Sequence, residues 1–162
     1  MHTTLKQLAL AVGLAATIAA GPPAIATAGD EIDTKTYEVR FDKSDPDGNF
    51  VWEGTTSGPA HGTVTSYPTH VAPEGDILNV TFVWEISAGK HSFTAVTDGT
   101  LHLVTGAVIL DGEVTDGWLE GATVHEEGQL VDASLSRYQG VIELTVQKAD
   151  RLPLTDGYSV VS

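Results

Sequence analysis

The stretch Asp98–Val146 constrains the fold more than any other part of this chain. It reads DGTLHLVTGAVILDGEVTDGWLEGATVHEEGQLVDASLSRYQGVIELTV, with apolar runs cut by Gly99, Gly106, Gly112, Gly117, Gly121, Gly128 and Gly140. Each run is too short for a helix, and each glycine or Asp-Gly pair marks a turn, bulge or bend. Strands punctuated this way curl, and curled antiparallel strands close into a small barrel. A barrel of about eight strands is either a packed core or a pocket for one small ligand.

The same alternation runs through the rest of the chain. Thr36–Asp42 (TYEVRFD) places Tyr37, Val39 and Phe41 on one face, the period-two mark of a half-buried strand. Lys43–Gly48 (KSDPDG) reads as a turn. Asn49–Ser57 follows as a strand with Phe50 and Trp52 on one face, and Gly58–Gly62 as a connection. Thr63–Val71 is a poorer strand, because Pro68 belongs at an edge or a bulge. Asp76–Ala88 is the strongest, with Leu78, Val80, Phe82, Trp84 and Ile86 together and Glu85 opposite.

His91–Val96 comes next, and Asp98-Gly99 is expected to be a type I′ hairpin turn. Thr100–Val114, Gly117–Glu127 and Ser136–Lys148 complete eight strands, and Tyr158–Val161 is a candidate late addition. No stretch after the N-terminal segment has a 3.6-residue apolar period, so an all-β fold is expected. Gly106 and Gly121 read as lying inside strands, which favours a bent barrel wall over a flat sandwich.

The first 28 residues have the layout of a secretory signal peptide: Lys6, an apolar run over Leu8–Ala20, Pro22-Pro23, then small residues up to Ala28. The run is shorter than the ~20 residues that span a bilayer, so no stable membrane anchor is expected. Residues 29–162 are then one exported domain. With no cysteine, neither a disulfide framework nor a lipidated cysteine is available to it. Removing Lys6 leaves 7 basic and 22 acidic residues, a net charge of −15. Such a surface repels nucleic acid phosphate and anionic lipid.

The run from Gly99 to Leu144, preceded by Lys90-His91-Ser92-Phe93, resembles the C-terminal half of allene oxide cyclase-like barrels. These are related in shape to dirigent proteins and calycins. The shared pattern is a strand, a glycine bend, a second strand with a glycine, and a final F/Y-x-G strand, here Tyr138-Gln139-Gly140. The resemblance implies a closed barrel with a hydrophobic cavity. Some members cyclise a reactive polyene or epoxide, and no catalytic residue of theirs maps onto a position here.

No strong catalytic or metal signature is present, and no cofactor is expected. His125-Glu126-Glu127 lacks a second histidine one turn away. His91 and His102 fall on neighbouring expected strands, where they would meet across a hairpin and, with Glu126, hold at most a poor metal site. Asp42, Asp45 and Asp47 before Gly48 imitate a calcium loop, but Gly54 stands where a bidentate Glu is required. Gly54–Gly58 lacks the hydrolase elbow spacing, and Trp118 stands where a phosphate loop needs lysine. The Asn79-Val80-Thr81 sequon lies mid-strand.

The aromatic residues are the remaining candidates. Trp52, Phe82, Trp84, Phe93, Trp118 and Tyr138 share the apolar faces. They are either core filling or the lining of a cavity for a small hydrophobic molecule. Glu85, alternating with Trp84, is expected to point outward. Three functions follow: a secreted barrel binding a hydrophobic ligand, an exported cyclase or isomerase working by positioning, or a filled barrel acting through Lys43–Gly48, Gly58–Gly62 and Asp132–Ser136.

Overall fold

The computed structural model describes residues 33–147. The expected signal segment and the late strand at Tyr158–Val161 lie outside them.

The described residues form one closed barrel of eight antiparallel strands in chain order. They are β1 (Thr34–Ser44), β2 (Trp52–Ser57), β3 (Gly62–Glu74), β4 (Ile77–Ser87), β5 (Phe93–His102), β6 (Ala107–Gly117), β7 (Thr123–Asp132) and β8 (Arg137–Gln147). A single 3-10 turn, Gly89–His91, is the helical content. β1 closes on β8 from Thr34↔Gln147 to Lys43↔Tyr138, so every strand has two neighbours.

One expected turn is displaced. Asp98-Gly99 is not a hairpin turn but the middle of β5, where Thr81↔Asp98 and Asp98↔Asp111 are in register. The chain turns at 103–106 instead, with Gly106 N–H bonded to His102 O at 2.7 Å. Long cross-strand pairing on both sides of β5 overrides the local Asp-Gly preference.

Gly106 and Gly121 are turn residues with φ of 71° and 81°, not strand interiors. The glycines that bend the wall are others. A Cβ at Gly54, Gly99, Gly112 or Gly140 would lie 1.9–2.1 Å from a carbonyl oxygen of the neighbouring strand. The barrel inference therefore holds, although the glycines that carry it differ. Pro68 marks a bulge, since the β3–β4 register shifts between Pro68 and His70.

Alternation fills the interior with Val39, Phe41, Val64, Trp84, Ile86, Leu110, Val124, Ile142 and Leu144. The two ends differ. At one, Trp118 packs edge-on against Tyr37 at 5.1 Å and on His91 at 4.6 Å, while Phe93 lies 6.3 Å away. The first and last described strands also begin and finish there.

At the other end lie the loops 45–51, 75–76, 103–106 and 133–136. Every exposed large apolar side chain among the described residues belongs to this half: Phe50, Val71, Ile77, Leu103, Val104, Ile109, Val131 and Leu135.

Wall curvature makes a quantitative expectation. Gly140→Ala drives a methyl into Glu127 O and the Phe41 ring, which lies 2.7 Å from the added carbon, and should destabilise by about 3 kcal/mol or more. Gly75→Ala, with open space around it but φ of 61°, should cost only about 1–2 kcal/mol. Urea unfolding of both variants measures the difference.

Candidate functional site

Extending the inward row of β1 past Tyr37, Val39 and Phe41 brings the next inward position to Lys43. Its side chain is buried, and the ammonium sits 3.5 Å from the centroid of the Trp84 ring. Phe41 and Phe82 flank it at 5.2 and 5.3 Å, so three aromatic faces surround the cation. Contacts of this kind reach about 2 kcal/mol when desolvated. Nζ also donates to Ser66 Oγ at 2.9 Å.

The inward row that starts at Ala122, just before β7, continues through Val124 to Glu126, and this places a second ionisable group in the interior. Among the described residues, six polar or charged ones are buried: Lys43, Asp45, Thr56, Ser66, Thr97 and Glu126. Five are accounted for. Asp45 accepts from the backbone N–H of Asn49 and Phe50, and Thr56 donates to Ala60 O. Thr97 accepts from Trp84 Nε1, and Ser66 from Lys43. Glu126 differs, because its Oε2 is buried without a hydrogen-bond partner.

Lys43 and Glu126 do not pair directly. The ion pairs among the described residues lie on the outer wall: Arg40–Glu38, His125 with Asp111 and Glu127, and Arg137–Asp42. Burial pushes the Glu126 carboxyl up to about 7, opposed by the Lys43 and His125 charges. Burial likewise pulls Lys43 down to about 8, with Glu126 acting against it.

Both groups line a small void of about 20 Å³ together with Trp52, Phe82, Leu101, Val108, Leu110 and Tyr138. That volume accommodates about one oxygen-sized group. The void lies toward the end with the exposed apolar loops. Trp52 and Tyr138 flank it there, with ring centroids 6.4 Å apart. Trp52 Nε1 donates to Ser136 O at 2.9 Å. Phe50 packs edge-on outside Trp52 at 6.4 Å while 64% exposed. Ser136 and Phe50 have φ of 46° and 63°, costly for side chains of their kind, and the Asp45 bonds hold the second.

Of the six aromatic candidates, Trp52, Phe82 and Tyr138 line this void, and Trp84 lies under Lys43. Phe93 and Trp118 are at the opposite end, in the plug. His91 and His102 do not meet across a hairpin; His91 precedes β5 and His102 ends it, at opposite ends of the barrel. Glu126 points away from both, and no group of three His, Asp or Glu among the described residues could hold a metal. Glu85 points outward and accepts from the Tyr67 hydroxyl at 3.1 Å. Asp42 is held below the usual carboxylate range by its hydrogen bonds from Arg137.

The sequence reasoning missed Lys43 and the inward direction of Glu126. The signal was available in both cases, since a period of two carried two residues past Phe41 and past Val124 reaches them. No protein-family model matches this chain, and no curated protein is significantly similar to it.

The raised Glu126 carboxyl has a stability consequence whose sign is fixed. Between the ordinary carboxylate pKa of 4.5 and about 7, the unfolded chain releases the proton and the folded chain keeps it. Stability relative to Glu126→Gln should therefore fall as pH rises through that window and level off above it. The loss is on the order of a few kcal/mol. Thermal unfolding of both proteins from pH 4 to 8 measures it.

Replacing the pair tests its role in folding. Lys43→Met with Glu126→Leu should be at least as stable as the parent near pH 7.5, and Lys43→Met alone clearly less stable. Denaturant midpoints of the three proteins decide.

Proposed function

We propose that this protein is an exported β-barrel that binds a small, mainly apolar molecule between its strands. Access would be through the end framed by Phe50, Leu103, Val104 and Leu135. One observation carries the reading: an unpartnered buried carboxylate oxygen and a buried ammonium border the same aromatic-lined void. Ligand sites combine an apolar lining with a few polar groups that fix orientation, and this is that combination.

The void holds only about one heavy atom, so binding requires Trp52 and Tyr138 to swing toward the loops. The apolar loop residues give the displaced rings and the body of the ligand somewhere apolar to rest. Membership of the allene oxide cyclase-like barrels is part of this proposal, supported by the glycine pattern, the Tyr138-Gln139-Gly140 strand and the closed eight-strand architecture. Export is supported by the N-terminal pattern of Lys6, Leu8–Ala20 and Ala28.

A catalytic version has one observation in its favour. Glu126 at about 7 and Lys43 at about 8 are poised to exchange protons near neutrality, as an isomerase or cyclase requires.

Titration of residues 29–162 with a panel of neutral apolar molecules should change Trp52 emission and raise the unfolding temperature. Trp52→Phe should remove most of the emission change while leaving the thermal shift. A panel in which nothing alters either signal sinks the proposal.

A further inference from the structure

The polar groups of the interior restrict what the apolar ligand can carry. Glu126 Oε2 is a buried acceptor without a donor. Lys43 Nζ has three protons; one goes to Ser66 Oγ, and the Trp84 ring takes up one face of the ammonium. An ammonium with protons beyond the one given to Ser66 and an acceptor oxygen without a donor therefore border the same void of about 20 Å³.

We propose that the site takes an apolar molecule bearing a hydroxyl group, an alcohol or a phenol. Its oxygen sits between the two groups, donating to Glu126 Oε2 and accepting from Lys43 Nζ. This rests on the ligand-binding reading above and adds the chemical class of the ligand.

The competing classes each leave one side unmatched. Above about pH 7, where Glu126 is ionised, a carboxylate would satisfy Lys43 but set a second anion against Glu126 in a dry interior. An amine would satisfy Glu126 but set a second cation against Lys43, which the aromatic faces of Phe41, Phe82 and Trp84 already enclose. A pure hydrocarbon would leave Glu126 Oε2 buried and unmatched, and such groups are costly. A hydroxyl is donor and acceptor at one atom, carries no charge, and is the size of the void.

The rest of the molecule lies outward from that oxygen. Trp52 and Tyr138 would flank it, and Phe50 and Leu103 would cover it at the loops. Size is thus limited near the hydroxyl and relaxed toward solvent.

The test uses residues 29–162 and two matched series. One is benzyl alcohol, benzoate, benzylamine and toluene; the other is octanol, octanoate, octylamine and octane. Dissociation constants come from tryptophan emission and calorimetry. The alcohol should bind about tenfold or more tightly than the other three members of its series. Glu126→Leu should abolish that preference while binding the hydrocarbon as well or better. The ¹³C shift of the Glu126 carboxyl should move with the alcohol and not with the hydrocarbon.

Benzoate or benzylamine binding as tightly as benzyl alcohol would overturn the hydroxyl assignment and leave the ligand-binding reading standing. The same holds for equal binding of alcohol and hydrocarbon. Failure of all eight compounds to bind would remove both. The ranking in the parent protein decides the matter even where Glu126→Leu does not fold.

Discussion

The ladder between β1 and β8 is the contact on which the rest of this structure depends. From Thr34↔Gln147 to Lys43↔Tyr138 it joins the first and last described strands and turns an open meander into a cylinder. Closure removes both sheet edges, which would otherwise present unpaired backbone groups. It also seals the interior. Phe41 lies opposite Gly140, and its ring tip would meet a Cβ added at Gly140 or at Gly128 across the next ladder. Arg137 clamps Asp42 from outside by two hydrogen bonds at the same seam. Because β1 is locked there, Lys43 has no route to solvent along its own strand.

Sealing explains the electrostatics. A lysine at a strand end ordinarily extends its stem and leaves its ammonium in water. Here the stem points inward, and three aromatic faces with one hydroxyl take the place of the hydration shell. Glu126 has no such replacement on Oε2. The two charges are thus compensated unequally, and desolvation moves each pKa toward neutrality from its own side. Buried pairs of this kind add little to stability. Set among residues as apolar as Val108, Leu110 and Phe82, the two groups are therefore not what holds the barrel together.

Most of the architecture was legible in the sequence, and the reasons for the errors are physical. The strand count, the absence of helix and the Pro68 bulge follow from period-two alternation and from proline's missing donor. The Asp98-Gly99 turn failed because a local dipeptide preference is weaker than the ten positions β5 pairs with β4 and the nine it pairs with β6. Half the candidate site was readable. Trp52, Phe82 and Tyr138 line the void, but alternation alone does not say how far along the barrel a side chain sits. Phe93 and Trp118 share the inward face yet belong to the other end. Lys43 was lost because its neighbours Asp45, Pro46 and Asp47 are turn formers, and composition was allowed to end the strand before alternation did.

The two ends of the barrel complete the argument about function. Trp118, Tyr37, His91 and Phe93 interlock over one opening, and His91 Nδ1 is tied to Pro59 O at 2.7 Å. Displacing Trp118 would break ring contacts with three partners at once. Over the other opening, Phe50 and Leu103 are 64% and 52% exposed, and Trp52 is retained by Ser136 in a loop whose own backbone is strained. Trp52 also touches the rings of Phe50, Phe82 and Tyr138, so this end is held by the interior ring and its loop anchor rather than by a cap outside it. Exposed apolar side chains cluster where a surface meets something apolar. The exposed apolar side chains thus gather at the end of the barrel nearer Lys43 and Glu126, and the interlocked rings of Trp118, Tyr37 and His91 at the other.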